Sequence, residues 1–161
     1  GDSNQHSIRN GLWGLRDAGC DENDIILVHD GVRPLVSERI ISENIEKCQK
    51  YGYAITGMIC KEAIMQKVDD CVKNIDIPRE RLVRTQTPHT YPLHTLLKAH
   101  EEADSKGIDG TVASCTLMAE LGIEDQHLVM GSEKNGLKLT QTEDVELFKA
   151  LKHTTKDEWL K

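Results

Sequence analysis

The chain has no excess of positive charge: 20 Lys and Arg stand against 27 Asp and Glu, a formal net charge of -7. General nucleic-acid binding needs a basic face to meet the phosphate backbone, so it is excluded as a default, while a nucleotide as a small ligand stays open. No apolar run approaches the roughly 18 residues of a membrane span, and the N-terminus lacks the charged-then-apolar layout of a signal peptide. No membrane partner is therefore expected. The five cysteines (Cys20, Cys48, Cys60, Cys71, Cys115) include no C-x-x-C pair and no nearby His at metal-ligand spacing. An odd, scattered set of this kind fits reduced thiols in a cytoplasm and buried small hydrophobes. Residues 1–161 also contain no glycine-rich phosphate loop, although such loops usually lie at the start of nucleotide-binding α/β folds. Gly1 opens on what reads as the inside of a domain, so an upstream piece is expected.

At 161 residues, 38% of them hydrophobic, the chain suits one domain with its own core. Its most informative stretch is Ile25-Ile26-Leu27-Val28-His29-Asp30-Gly31-Val32-Arg33-Pro34. A short β-branched run that stops at Gly and Pro reads as a central parallel strand. Ligands in open α/β sheets bind beyond the carboxyl ends of strands, where Asp30 and Arg33 fall. A carboxylate there can hold Mg²⁺, a hard cation that takes oxygen ligands and shares them with substrate phosphates. The same pattern is met without any ligand if Asp30 caps the next helix and Arg33 pairs with it.

The surrounding order predicts an α/β fold, Rossmann-like, with a mostly parallel sheet flanked by helices and a projecting β-arm. Helices are expected at 5–17, from Ser37 to the Tyr51-Gly52 stop, at 92–106, at 112–121 and from Thr142 onward. Strands are expected at 25–29, 53–60, 82–88 with a stop at Pro88, 127–130 and 136–140. Residues 63–68 and 71–75 read as a polar hairpin around Asp69-Asp70, the core of an arm over 61–84 that needs a second subunit to pack on. Residues 153–161 read as a mobile tail.

Arg33, Arg79 and Lys138 fall at predicted strand ends or loops, and with Asp30 and the hydroxyls of Ser7, Thr87, Thr111 and Thr140 they make a metal-plus-cation set suited to phosphates. Phosphoryl and nucleotidyl transfer need in-line positioning and charge neutralisation more than covalent help. Arg grips phosphate bidentately and Lys acts as a point charge. Each taken alone is more often a solvated surface residue. His29 alternates away from Asp30 and reads as a core histidine. His89, His94 and His100 lack partners at ligand spacing, so no metal is assigned to them. Trp13 reads as a packing residue.

Four segments in order resemble the IspD-type cytidylyltransferases and their ribitol-5-phosphate relatives. They are Gly1-Asp2 with Ser7-Ile8-Arg9-Asn10-Gly11-Leu12; Val28 to Pro34; Thr85-Gln86-Thr87-Pro88; and Asn135 to Thr140 with Glu143-Asp144. The resemblance implies a nucleotide-diphospho-sugar-transferase-like fold. It implies that Asp2 and Ser7 line the cytidine site of CTP, that Asp30 is the Mg²⁺ carboxylate, and that Gly31 and Arg33 form the corner beside it. Arg79 and Lys138 then act on the reacting phosphates as catalytic and substrate residues, with Thr87 and Thr111 as further substrate contacts. The 61–84 arm is similar to a dimer-forming hairpin that lends Arg79 to the neighbouring subunit. The chain departs from the family at Glu62-Ala63, where members carry Asp-Thr, and at Gly110-Thr111-Val112-Ala113-Ser114-Cys115, a poor match to their Thr-Asp-Asp/Glu-Ala-Ser run. The implied reaction transfers CMP from CTP to 2-C-methyl-D-erythritol 4-phosphate and releases pyrophosphate, with ribitol 5-phosphate as the alternative acceptor. Because the glycine loop falls outside residues 1–161, this piece alone is expected to be inactive. From outside the enzyme class, the alternative is a non-catalytic dimerisation or binding module.

Overall fold

A computed structural model describes residues 1–153. Its elements are α1 (Asn4–Asp17), β1 (Ile25–Val28), α2 (Glu38–Tyr51), β2 (Ala54–Ile59), β3 (Met65–Val68), β4 (Cys71–Asn74), a 3₁₀ turn (Arg79–Arg81), β5 (Val83–Pro92), α3 (Leu93–Lys106), α4 (Ser114–Glu120), β6 (His127–Met130), α5 (Glu133–Gly136) and α6 (Thr142–His153). The expected tail lies, apart from His153, outside the described residues.

The main sheet has the order β1-β5-β2-β6. β5 runs antiparallel to both β1 and β2, and β6 pairs parallel to β2. Strands β1, β2 and β6 therefore share one direction, as the alternation of helix and strand predicted. The difference is that β1 and β2 are not neighbours, because the reversed β5 lies between them; among the described residues β1 is thus an edge strand paired antiparallel, not the central parallel strand expected.

Two apolar layers hold this sheet. On one face Leu12 of α1, Leu93, Leu96, Leu97 and Ala99 of α3, and Met118 of α4 close over Tyr91 of β5. On the other, Ile40 and Cys48 of α2 meet Ala54 and Val129. Each fully buried Leu or Ile contributes roughly 1.5–3 kcal/mol by leaving water. A polar pin fixes α2 in place. Asn44, wholly buried, donates to Ile40 O (2.7 Å) and to Thr56 Oγ1 (2.9 Å), and Thr56 Oγ1 in turn donates to the carbonyl of Pro88 (2.9 Å). Ser37 caps α2 by accepting from the amide of Ile40, and Gly52, at φ 92°, ends it as expected.

The structure corrects several expectations. β5 does not stop at Pro88 but continues to Pro92. Proline has no N–H to give a ladder, yet here none is required: β1 ends opposite His89, and the pairing with β2 jumps from Ile55↔His89 to Thr56↔Gln86. The proline sits in that irregularity. The Thr87–Pro88 bond is cis. Residues 136–140 form no strand. Ser132 Oγ accepts from the amide of Asn135 (3.0 Å) and caps the one-turn α5, after which the chain runs irregularly to α6. The helix expected at 112–121 is confined to Ser114–Glu120. His29 is exposed rather than in the core, because β1 ends one residue earlier. Of the cysteines, Cys48, Cys60 and Cys115 are buried, Cys20 is half-buried and Cys71 is exposed on the arm. The arm's β3–β4 hairpin forms a separate two-stranded sheet, and Trp13 packs against the larger core layer.

Candidate active site

The carboxyl end of β1 delivers Asp30 into a corner closed by its own backbone, the Arg33 amide donating to the Asp30 carbonyl (2.9 Å). Arg33 Nε lies 3.1 Å from Asp30 Oδ2 and Lys138 Nζ 3.6 Å from the same oxygen. The pairing of Asp30 with Arg33 is thus real, but Asp30 caps no helix, Ser37 having that role. Arg33 is also tied to the carbonyl of Gly136 through Nη1. One carboxylate and two cations meet here, Asp30 and Arg33 from the end of β1 and Lys138 from a segment remote in sequence.

β5 supplies the second wall. Thr87 Oγ1 accepts from the amide of Asp30 (3.1 Å) and lies 3.0 Å from His29 Nδ1. His29 Nε2 is 2.9 Å from the Arg33 carbonyl. A carbonyl only accepts, so His29 donates from Nε2 to Arg33 O, and Nδ1 meets the Thr87 hydroxyl on the ring's other side. The exposed histidine therefore braces the corner against β5.

A latch behind the site holds the Ser132–Asn135 turn that leads to Lys138. Gln86, 2% exposed, donates through Nε2 to Ser132 O (3.0 Å) and accepts on Oε1 from Asn135 Nδ2 (2.9 Å). Asn135 Nδ2 also reaches the Thr87 carbonyl (3.2 Å). The glycines beside this latch leave no room for a side chain: a Cβ on Gly131 would fall 2.2 Å from Gln86 Oε1, and one on Gly136 2.5 Å from Gln86 Nε2. Beyond Lys138, the amide of Leu139 donates to Val32 O (2.8 Å). Asp144 accepts from the amides of Thr140 and Gln141 (both 2.7 Å), and these amides hold its carboxyl below the usual range.

Asp30, Arg33, Thr87 and Lys138 line one cleft of about 200 Å³ together with Asn4 and Ile8 of α1, Val28, Val112 to Ser114, and His89. The other expected site residues lie elsewhere. Asp2 and Ser7 are exposed at the start of α1, and Ser7 Oγ donates to Ser3 O; Asn4 and Ile8 face the cleft instead. Thr111 gives both its amide and its hydroxyl to Gln5 Oε1 (2.9 and 2.8 Å), so Val112 takes its place in the wall. Gly31 stands in open space on the corner. Arg79 lies on the arm, donating to Lys61 O (3.2 Å) and paired with Glu80, and its groove shares no residue with the cleft.

Sequence reasoning gave His89 no metal and Ser114 no role, and no local spacing marks either, because the irregular pairing around Pro88 breaks the strand's alternation between Thr87 and His89. His89 is 2% exposed and burial pushes its imidazole down to about 4.

A magnesium ion fits the donor set. No cluster of three or more His, Cys, Asp or Glu that could hold a metal occurs among the described residues, so Asp30 would be a lone protein carboxylate. Both cations meet its Oδ2, and Oδ1 has no partner among the described residues. Mg²⁺ commonly binds in this way, through one or two carboxylates with phosphate oxygens and water completing the octahedron.

Known proteins resemble this chain in sequence and in fold. A ribitol-5-phosphate cytidylyltransferase from Lacticaseibacillus paracasei is 43% identical over 149 residues, covering 91% of this chain and 62% of the relative. A 2-C-methyl-D-erythritol 4-phosphate cytidylyltransferase from Acidobacterium capsulatum is 37% identical over 150 residues, covering 91% of this chain and 60% of the relative. The chain thus spans about three-fifths of the length of these relatives. The crystal structure of 2-C-methyl-D-erythritol 4-phosphate cytidylyltransferase from Thermus thermophilus superposes with a TM-score of 0.78 at 27% identity, over 96% of this chain and 71% of that one. The family model described as IspD, 2-C-methyl-D-erythritol 4-phosphate cytidylyltransferase, matches residues 1–153, and the chain belongs to this family.

Proposed function

We propose that the full-length protein carrying this chain transfers a cytidylyl group from CTP to a polyol phosphate and releases pyrophosphate. The observation that carries this reading is the convergence of Asp30, Arg33 and Lys138 within 3.1–3.6 Å at the end of β1. The acceptor's phosphate oxygen attacks the α-phosphorus of CTP, and negative charge builds on the oxygens around it. Arg33 and Lys138 neutralise that charge from fixed positions, Arg33 held by Asp30 and Gly136, Lys138 on the segment that follows the latched turn. Asp30 is the residue that would hold Mg²⁺, which would supply further neutralisation of the triphosphate charge. Asp2 and Ser7, next to the cleft residues Asn4 and Ile8, are assigned to the cytidine end. Arg79 is assigned to a partner's cleft across a homodimer, for which the arm offers exposed Ile64, Met65, Val72 and Ile77.

Between the two acceptors, the 43% identity to a ribitol-5-phosphate enzyme against 37% to a methylerythritol-phosphate enzyme favours ribitol 5-phosphate. Pyrophosphate release by the full-length protein with each acceptor tests the reading. Turnover should be at least tenfold faster with one of them, and Asp30→Asn should lose about a hundredfold or more. No pyrophosphate from CTP with either acceptor would leave the binding module as the better account.

A further inference from the structure

Two polar atoms in the cleft wall are buried without a partner among the described residues: His89 Nε2 and Ser114 Oγ. Both residues are 2% exposed, and both line the cleft that holds Asp30, Arg33, Thr87 and Lys138. A buried polar atom left unpaired costs roughly 1–3 kcal/mol, and native proteins rarely tolerate one without a use. Two such atoms in the same wall are a specific arrangement.

Their chemistry identifies what they would take. His89 Nε2 is the buried nitrogen without a partner among the described residues, and a neutral imidazole offers either a lone pair or an N–H there according to its tautomer. Burial disfavours the charged ring, and Arg33 adds to that effect while Asp30 opposes it. A neutral ring nitrogen offers a phosphate no counter-charge and pairs with an O–H, which can both donate and accept. The Ser114 hydroxyl both donates and accepts, and an alcohol can satisfy both atoms. The cleft is thus divided: cations at Arg33 and Lys138 for the phosphate, a neutral wall at His89 and Ser114 for a hydroxyl.

We infer that His89 Nε2 and Ser114 Oγ bind a hydroxyl of the polyol acceptor and so help to set which polyol phosphate is used. This rests on the proposed cytidylyl transfer. The ribose of CTP carries the same chemistry, and the experiment separates the two sources.

Steady-state kinetics of the full-length enzyme are measured with CTP, ribitol 5-phosphate, and ribitol 5-phosphates lacking single hydroxyls. His89→Leu and Ser114→Ala should each raise the acceptor KM on the order of tenfold while the CTP KM stays within about twofold. His89→Gln, which keeps an acceptor atom, should recover most of the loss. One deoxy acceptor should be about tenfold poorer for the wild type and no poorer than ribitol 5-phosphate for His89→Leu. A rise in the CTP KM alone would place the ribose there and overturn the assignment, as would equal deoxy penalties in wild type and variant or unchanged KM values. Should His89→Leu fail to fold, Ser114→Ala, which removes one oxygen, carries the same comparison. A wild type inactive with every polyol phosphate removes the proposed function and this inference together; an active wild type with insensitive variants removes only the inference.

Discussion

Replacing Gly131 with Ala tests whether the latch behind Lys138 is as tight as it looks. The added Cβ would lie 2.2 Å from Gln86 Oε1, 3.0 Å from Gln86 Cδ and 3.2 Å from Thr56 Cγ2. A long side chain normally swings aside at little cost, but Gln86 is buried and held at both ends of its amide, at 3.0 Å to Ser132 and 2.9 Å to Asn135. Moving it breaks one or both bonds, worth about 1 kcal/mol each, on top of about 1–3 kcal/mol for overpacking. The expected loss is roughly 2–5 kcal/mol, or about 4–20 °C in Tm for a protein of this size class. Gly14→Ala is the control: it lies in α1 where a Cβ meets nothing within 4 Å, and it should stabilise by about 0.5–1 kcal/mol through helix propensity. Both are read by urea denaturation of the full-length protein, followed by the KM for the polyol phosphate, which should rise for Gly131→Ala alone. A Gly131→Ala protein as stable as wild type would refute the latch as described.

Acidification gives a second check. The folded pKa of His89, about 4, lies below its ordinary 6.5, so between these values the unfolded chain binds the proton first. Stability from this group should be flat above about pH 6.5 and fall as pH drops toward 4, by up to about 3 kcal/mol. His100, lowered by the same burial, acts in the same direction. Urea midpoints from pH 7.5 to 5 should show the slope, and His89→Gln should reduce it to the part left by His100. For the arm, Val72→Asp combined with Ile77→Asp removes two exposed apolar contacts. Sedimentation should move from dimer to monomer, and an unchanged dimer would place the interface elsewhere.

Much of the site was legible because its residues terminate elements or interrupt them. The apolar run 25–28 breaking into Asp30 and Arg33 marks the end of β1 whatever the sheet order. Ser37 and Gly52 mark the ends of α2 through capping chemistry that is local. What was not legible depends on partners remote in sequence. Pro88 reads as a stop because a proline cannot donate to a ladder, and only the irregular pairing around Ile55 and Thr56 shows that no donor is needed there. Leu137 to Thr140 alternate like a strand, yet the cap at Ser132 and the bonds to Val32 and Asp144 claim their backbone first. His29 looked buried by position in an apolar run, but β1 ends just before it. His89 and Ser114 have no motif at all, and only burial in a shared wall singles them out.

The bond from the Leu139 amide to the Val32 carbonyl stitches the lysine-bearing segment directly onto the Asp30 corner. Asp144 then anchors the far side of that segment to α6. Any opening of the cleft must carry both edges as one rigid flap or tear this seam. Deuterium uptake at Leu139 would accordingly report the rarest breathing motion of the pocket, while the rim at Val112 exchanges freely.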